Sequence, residues 1–136
     1  AQGPGNRRDV EERYRSKKIA FITDRMQLTP EESEAFWPLY NEYEAAKRLL
    51  MTKMHELRKT YPEDETEMTE EQSVTFLKFY NEHKSDVFEL DKKYQKKYLK
   101  VISAKKLLLL INAENGFRRH LLQEYRGRGG SRRTDN

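Results

Sequence analysis

Residues 28–44 read LTPEESEAFWPLYNEYE, and residues 68–84 read MTEEQSVTFLKFYNEHK. At an offset of forty the two stretches share Thr29 with Thr69, Glu31 with Glu71, Ser33 with Ser73, Phe36 with Phe76, Tyr40 with Tyr80, Asn41 with Asn81 and Glu42 with Glu82. Leu28 and Met68 open them. Thr-x-x-Glu and Thr-x-x-Gln are capping boxes: the threonine oxygen accepts from a backbone N–H of the first helical turn, and Glu32 or Gln72 reaches back to the threonine N–H. Each box starts a helix and contributes about 1 kcal/mol. Pro30 presets φ at a first helical position, and Glu31, Glu70 and Glu71 suit the positive end of a helix dipole. A weaker third copy begins at Ile102-Ser103, where Lys105 and Lys106 oppose the dipole.

Apolar residues follow each start at helical spacing. Phe36, Tyr40, Tyr43, Leu50, Met54, Leu57 and Tyr61 step by threes and fours, interrupted by Lys47, and predict a second helix stopped by Pro62 and the acidic residues 63–67. Phe76, Tyr80, Val87, Leu90, Tyr94, Tyr98 and Val101 predict a third. Before them, Val10, Tyr14, Ile19, Ile22 and Met26 predict a first; after them, Leu107, Leu110, Ile111, Phe117, Leu121 and Tyr125 predict a fourth over residues 103–125, with Gly116 as its weak point. Pro38 falls inside the second helix and predicts a kink or restart there. No segment alternates like a strand. The fold class is therefore all-α, with about four helices. The short acidic loop makes the second and third helices a long antiparallel hairpin. Helices of about 32 residues would be roughly 48 Å long, so an elongated molecule is expected.

The bulk composition agrees with a thin core. Hydrophobic residues make up 35 % and charged residues 37 % of 136, while eight Tyr, six Phe and one Trp argue against disorder. The glycine- and arginine-rich ends, 1–8 and 127–136, read as polar tails around a single domain over residues 9–126. The net charge of +4 is unevenly spread: +3 over residues 1–27, −7 over 28–72 and +8 over 73–136. Opposite segments of that kind attract within one chain or pair two chains antiparallel, and a seam left exposed calls for a partner helix or a second copy.

Cysteine is absent, which excludes disulfides and thiolate metal sites. No apolar run approaches the roughly 20 residues that span a bilayer; the longest is LLLLI at 107–111. The chain begins Ala-Gln, as a mature protein freed of a signal peptide would, and as any trimmed chain would.

The repeated boxes carry a resemblance. Met68-Thr69-Glu70-Glu71-Gln72 and Leu28-Thr29-Pro30-Glu31-Glu32 resemble the repeated Leu-Thr-x-x-Gln signature of the bacterial periplasmic Spy and CpxP group, with Met for Leu in one copy and Glu for Gln in the other. The four-helix layout over residues 9–126, high charge and lack of cysteine are similar too. The resemblance implies a curved, antiparallel homodimer in the periplasm that acts as an ATP-independent chaperone or as an accessory to envelope-stress signalling. Its partners would be unfolded or signalling proteins, with no small-molecule substrate, no cofactor, no specific nucleic acid and no membrane insertion.

From the residues themselves, a surface on the third helix suits that role. Lys92, Lys96 and Lys100 fall on one line, with Lys93 and Lys97 beside it and Tyr94 and Tyr98 interleaved. Lys92, Lys96 and Lys100 with Trp37, Tyr40, Phe76 and Tyr80 are the candidate client or dimer surface. An enzyme is not expected, since no phosphate loop, nucleophile motif or HExxH helix occurs. Metal sensing is an alternative resting on His55, His83 and His120, near Met51 and Met54, but no two histidines share an i, i+4 spacing. Non-specific nucleic-acid binding through Arg126, Arg128, Arg132 and Arg133 is a second, without a recognition motif to accompany it.

Overall fold

The computed structural model describes residues 4–131, and side chains within residues 8–127. Four α-helices, α1 (Pro4–Met26), α2 (Pro30–Arg58), α3 (Glu70–Tyr98) and α4 (Ala104–Ser131), and one 3-10 turn (Glu65–Glu67) make up its regular structure. Among the described residues there is no strand, and the fold is all-α.

The helix boundaries follow local chemistry. At the start of α3 the Thr69 N–H donates to Gln72 Oε1 (3.0 Å) and the Gln72 N–H donates to Thr69 Oγ1 (3.1 Å), the reciprocal pair of a capping box. Pro30 opens α2 directly after Thr29, with Glu31 and Glu32 in the first turn. The third, weaker copy is also a helix start: the Lys106 N–H donates to Ser103 Oγ (3.2 Å), and α4 begins one residue after that serine. Lysine stands where the reciprocal acceptor would be, and its Nζ donates instead to the Gln27 carbonyl (3.1 Å). Gln27 itself closes α1 in the left-handed region (φ 53°), where its Nε2 donates to the Asp24 carbonyl (2.9 Å).

Several expected boundaries shift. The second helix ends at Arg58, not Tyr61, because Thr60 N–H and Oγ1 both turn back to the Leu57 carbonyl (3.0 and 2.7 Å). Pro38 causes no restart: α2 is continuous through it, and the ring is exposed. Residues 4–8 and 127–131, expected in polar tails, are helical. A nucleated helix propagates at little cost, and Pro4 presets the first turn. The remaining expected tail residues, 1–3 and 132–136, lie outside the described residues.

The chain divides into two compact units. The first contains residues 1–30 and 103–136, the second residues 31–102. The physical reason is connectivity: α1 and α4 lie at opposite ends of the sequence yet pack on each other, while α2 and α3 meet through side chains.

In the first unit, α1 and α4 bury Ile22 and Met26 against Leu107, Leu110, Ala113 and Phe117. Phe117 is flanked by the rings of Tyr14 (5.4 Å) and Phe21 (5.6 Å), and Lys17 meets Glu124 at 3.7 Å. The pairs Tyr14–Phe117 and Gln27–Lys106 show the helices running antiparallel. The seam on α4 differs from the expected one. Ile111 and Tyr125 face water, Tyr125 being 81 % exposed, while Ala113 takes a place in the seam. One residue along a helix is 100°, so of the adjacent Leu110 and Ile111, both expected inside, only Leu110 reaches the buried face. Val10, expected in the seam of the first helix, is exposed, while Tyr14 packs its ring on Phe117 and keeps its other side in water.

In the second unit, rings cluster. Phe36, Tyr40 and Tyr43 of α2 and Tyr94 and Tyr98 of α3 are buried, with centroids of Phe36–Tyr98 at 5.1 Å and Tyr43–Tyr94 at 5.5 Å. The Tyr43 hydroxyl donates to Asp91 Oδ1 across the two helices. Farther along, Leu50, Met54 and Leu57 are only half-buried, as are Val87 and Leu90.

Candidate functional site

Where α2 gives way to α3 the chain builds a fixed corner. The Arg58 guanidinium donates to the Pro62 carbonyl (2.7 Å) and the Glu63 carbonyl (3.1 Å), and its Cζ lies 5.5 Å from the centre of the Phe76 ring. Asp64 caps the 3-10 turn, accepting at Oδ1 from the Thr66 N–H (2.9 Å) and Thr66 Oγ1 (2.7 Å). Those two hydrogen bonds, the hydroxyl first, hold the Asp64 carboxyl below its ordinary value of 3.8. Side chains thereby hold the corner's backbone at Pro62, Glu63 and Thr66, and the ring of Tyr61 stands edge-on to Phe76 (5.4 Å).

This corner borders an open cavity of about 390 Å³, walled by Met68, Phe76, Leu77 and Tyr80, with Arg58, Glu65 and Ser73 as its polar members. The volume lies within the range of pockets that take a ligand or a partner's side chain, and the mix of apolar wall and few polar groups is the usual one. Two of the guanidinium's five N–H groups are committed to carbonyls; the others remain able to donate. A smaller cavity of about 90 Å³ lies along α2 and α3 among Leu50, Met54, Leu57, Phe79, His83 and Asp86.

Beyond the corner, α3 carries lysines over aromatic faces. Lys84 Nζ is 4.9 Å from the Tyr80 centroid, Lys92 5.4 Å from Phe88, and Lys97 4.8 Å and Lys93 5.9 Å from Tyr94. Each pair is an i, i+4, an i, i+3 or an adjacent contact on one helix, worth about 0.5–1 kcal/mol when exposed. The lysines are thus held by rings of their own helix, spread along it from Lys84 to Lys97.

The expected client or dimer surface does not form one patch. Tyr40 is buried in the ring cluster with half-buried Trp37, their centroids 5.4 Å apart, whereas Phe76 and Tyr80 line the corner cavity. Lys92 and Lys96 are exposed on α3, but Lys100 is beyond its end: Val101 and Ile102 N–H groups both turn back to the Tyr98 carbonyl (2.9 and 2.8 Å) and break the helical line before it reaches Lys100. Of the capping residues, Thr69 and Gln72 pair as described, Leu28, Glu32 and Met68 are half-buried, and Thr29 is exposed. The Arg58 grip and the Asp64 turn were not anticipated; an Asp two residues before a Thr was their one local signal.

The three histidines are dispersed. His55 is exposed on α2, His83 lines the smaller cavity, and His120 stacks near Phe21 (5.4 Å) and contacts Glu124 (3.3 Å) on α4. Among the described residues no three His, Cys, Asp or Glu side chains converge as metal ligands, and no helix is long and apolar enough to cross a membrane. Comparison with known proteins returns nothing: no family model, no curated protein and no solved structure matches the chain.

Proposed function

We propose that the chain is a protein-binding protein of the periplasm, acting as an ATP-independent, chaperone-like homodimer without catalysis. The observation that carries this reading is the corner cavity. It is apolar, large enough for a side chain such as Leu or Phe, open to water, and followed along α3 by ring-backed lysines. An unfolded client offers both features in one segment, an apolar side chain for the cavity and carboxylates for the lysines. Contacts of this kind are individually weak, which suits capture and release without ATP. The resemblance of the two capping boxes to the Spy and CpxP signature supports the same role and the periplasmic location, and an accessory role in envelope signalling would use the same surface. In this reading α2 and α3 form an antiparallel hairpin whose half-buried middle is covered by a second copy.

Aggregation assays test it. A chemically unfolded model enzyme diluted into buffer should scatter less light when the protein is present at stoichiometric amounts, with ATP making no difference. A Leu77→Asp, Tyr80→Ala variant should lose most of that protection, because both side chains line the cavity and both are exposed enough to change without unfolding the helix. Unchanged scattering with the wild-type chain ends the chaperone reading. A monomer in sedimentation at micromolar concentration removes the dimer from it.

A further inference from the structure

The helix α4 buries one stripe against α1 and leaves a second in water. Leu108 is 63 % exposed, Leu122 57 % and Tyr125 81 %, with Ile111, 38 % exposed, between them on the same face. At 100° per residue these four side chains fall within an arc of about 100°. Arg118 and Arg126 lie inside that arc and Arg119 at its edge, all three exposed. The stripe extends over about 26 Å of helix.

The charges on this face are one-sided. The two described carboxylates of α4 are Glu114 and Glu124. Glu114 is half-buried and partnered, and Glu124 is taken by Lys17 (3.7 Å) and His120 (3.3 Å) on the side toward α1. Among the described residues the arc itself thus combines leucines, a tyrosine and arginines and contains no carboxylate, Glu114 lying just beyond the edge opposite Arg119. The sequence adds Arg128, Arg132 and Arg133, against the single acidic Asp135, directly after it. The imbalance extends to the unit: residues 1–30 and 103–136 contain fifteen basic and seven acidic residues, net +8, whereas residues 31–102 contain twelve and sixteen, net −4.

We propose that the outer face of α4 docks on an anionic lipid bilayer surface. Leu108, Leu122 and Tyr125 would enter the boundary between headgroups and acyl chains, where leucine gains from leaving water and tyrosine keeps its hydroxyl hydrated. The arginines extend along that boundary and meet lipid phosphates, which they bind through paired N–H groups. Charge complementarity selects this occupant. A neutral bilayer leaves three or more cations without partners, and a nucleic acid offers the phosphates but nothing that rewards three exposed leucine or tyrosine side chains in a row. This surface is distinct from the corner cavity and does not depend on the chaperone reading.

Flotation of the full chain with vesicles decides it. The protein should float with phosphatidylcholine vesicles containing about one-third phosphatidylglycerol, stay behind with phosphatidylcholine alone, and detach as salt shortens the screening length. Arg118→Gln, Arg119→Gln, Arg126→Gln together should weaken binding about a hundredfold, at about tenfold or less per cation. Leu108→Asp with Leu122→Asp should abolish it, while circular dichroism stays unchanged because neither leucine is in the seam. Absence of flotation, equal binding to neutral vesicles, or binding unaffected by either set of changes overturns the proposal. So does a result in which the vesicles are ignored and the arginine changes instead abolish retention of duplex DNA, or self-association.

Discussion

Asp64 shows how much of the corner depends on single side chains. Its Oδ1 accepts from both the N–H and the hydroxyl of Thr66, and hydrogen bonds to the ionised form lower a carboxyl's proton affinity. The folded value lies below the unfolded one, so the ionised carboxylate contributes stability at pH above about 4, and that contribution is lost as pH falls through the lowered value. The group is fully exposed, so solvent screens the effect and the global stability curve will barely register it. A carbon-detected NMR titration does register it. Asp64 should titrate with a midpoint below 3.8, and Thr66→Val should move it back toward that value by removing the larger of the two causes. A midpoint at or above 3.8 in the wild-type chain would mean the turn is not formed.

At the scale of elements, helix starts and helix faces behave differently. The start of α3 is a closed local circuit, Thr69 to Gln72 and back, so Thr69→Ala should cost about 1 kcal/mol in urea denaturation. Gly116 gives the opposite expectation. It sits inside α4 without a positive φ, and a Cβ there would meet Phe21 ring carbons at 3.6 Å, an ordinary contact. Gly116→Ala should therefore stabilise the chain by about 1 kcal/mol, less if Phe21 resists, and a loss of stability would show that the seam is tighter than it looks. The sequence made the caps legible because each is decided within four residues. It made helix faces less legible: Leu110 and Ile111 are equally apolar, and only the partner α1 determines which of them is inside. Lys100 was misplaced for a related reason, since the turn that ends α3 has no glycine or proline to announce it.

Across the whole molecule, sequence periodicity conveyed four helices but not their division, because pairing between residues forty and a hundred positions apart leaves no local trace. Phe76 and Tyr80 share one helix face, which their spacing predicts, whereas the cavity they line depends also on Arg58 and Met68, which no spacing links to them. The charge division between the units, +8 and −4, becomes visible only after the units are known. Each unit rests on few buried side chains, and Phe117, 1 % exposed between Tyr14 and Phe21, is the largest one in the first unit. A chain of this length is expected to hold about 7–20 kcal/mol, and a composition this poor in apolar residues favours the lower end. Phe117→Ala removes a ring from the centre of the seam and should cost about 3–5 kcal/mol, about half of the total. The exposed neighbour provides the control: Leu122→Ala should change stability by no more than about 0.5 kcal/mol. Equal effects at the two positions in denaturant titrations would mean that α4 does not pack on α1 through Phe117; a large loss at Phe117 alone is the result this packing requires.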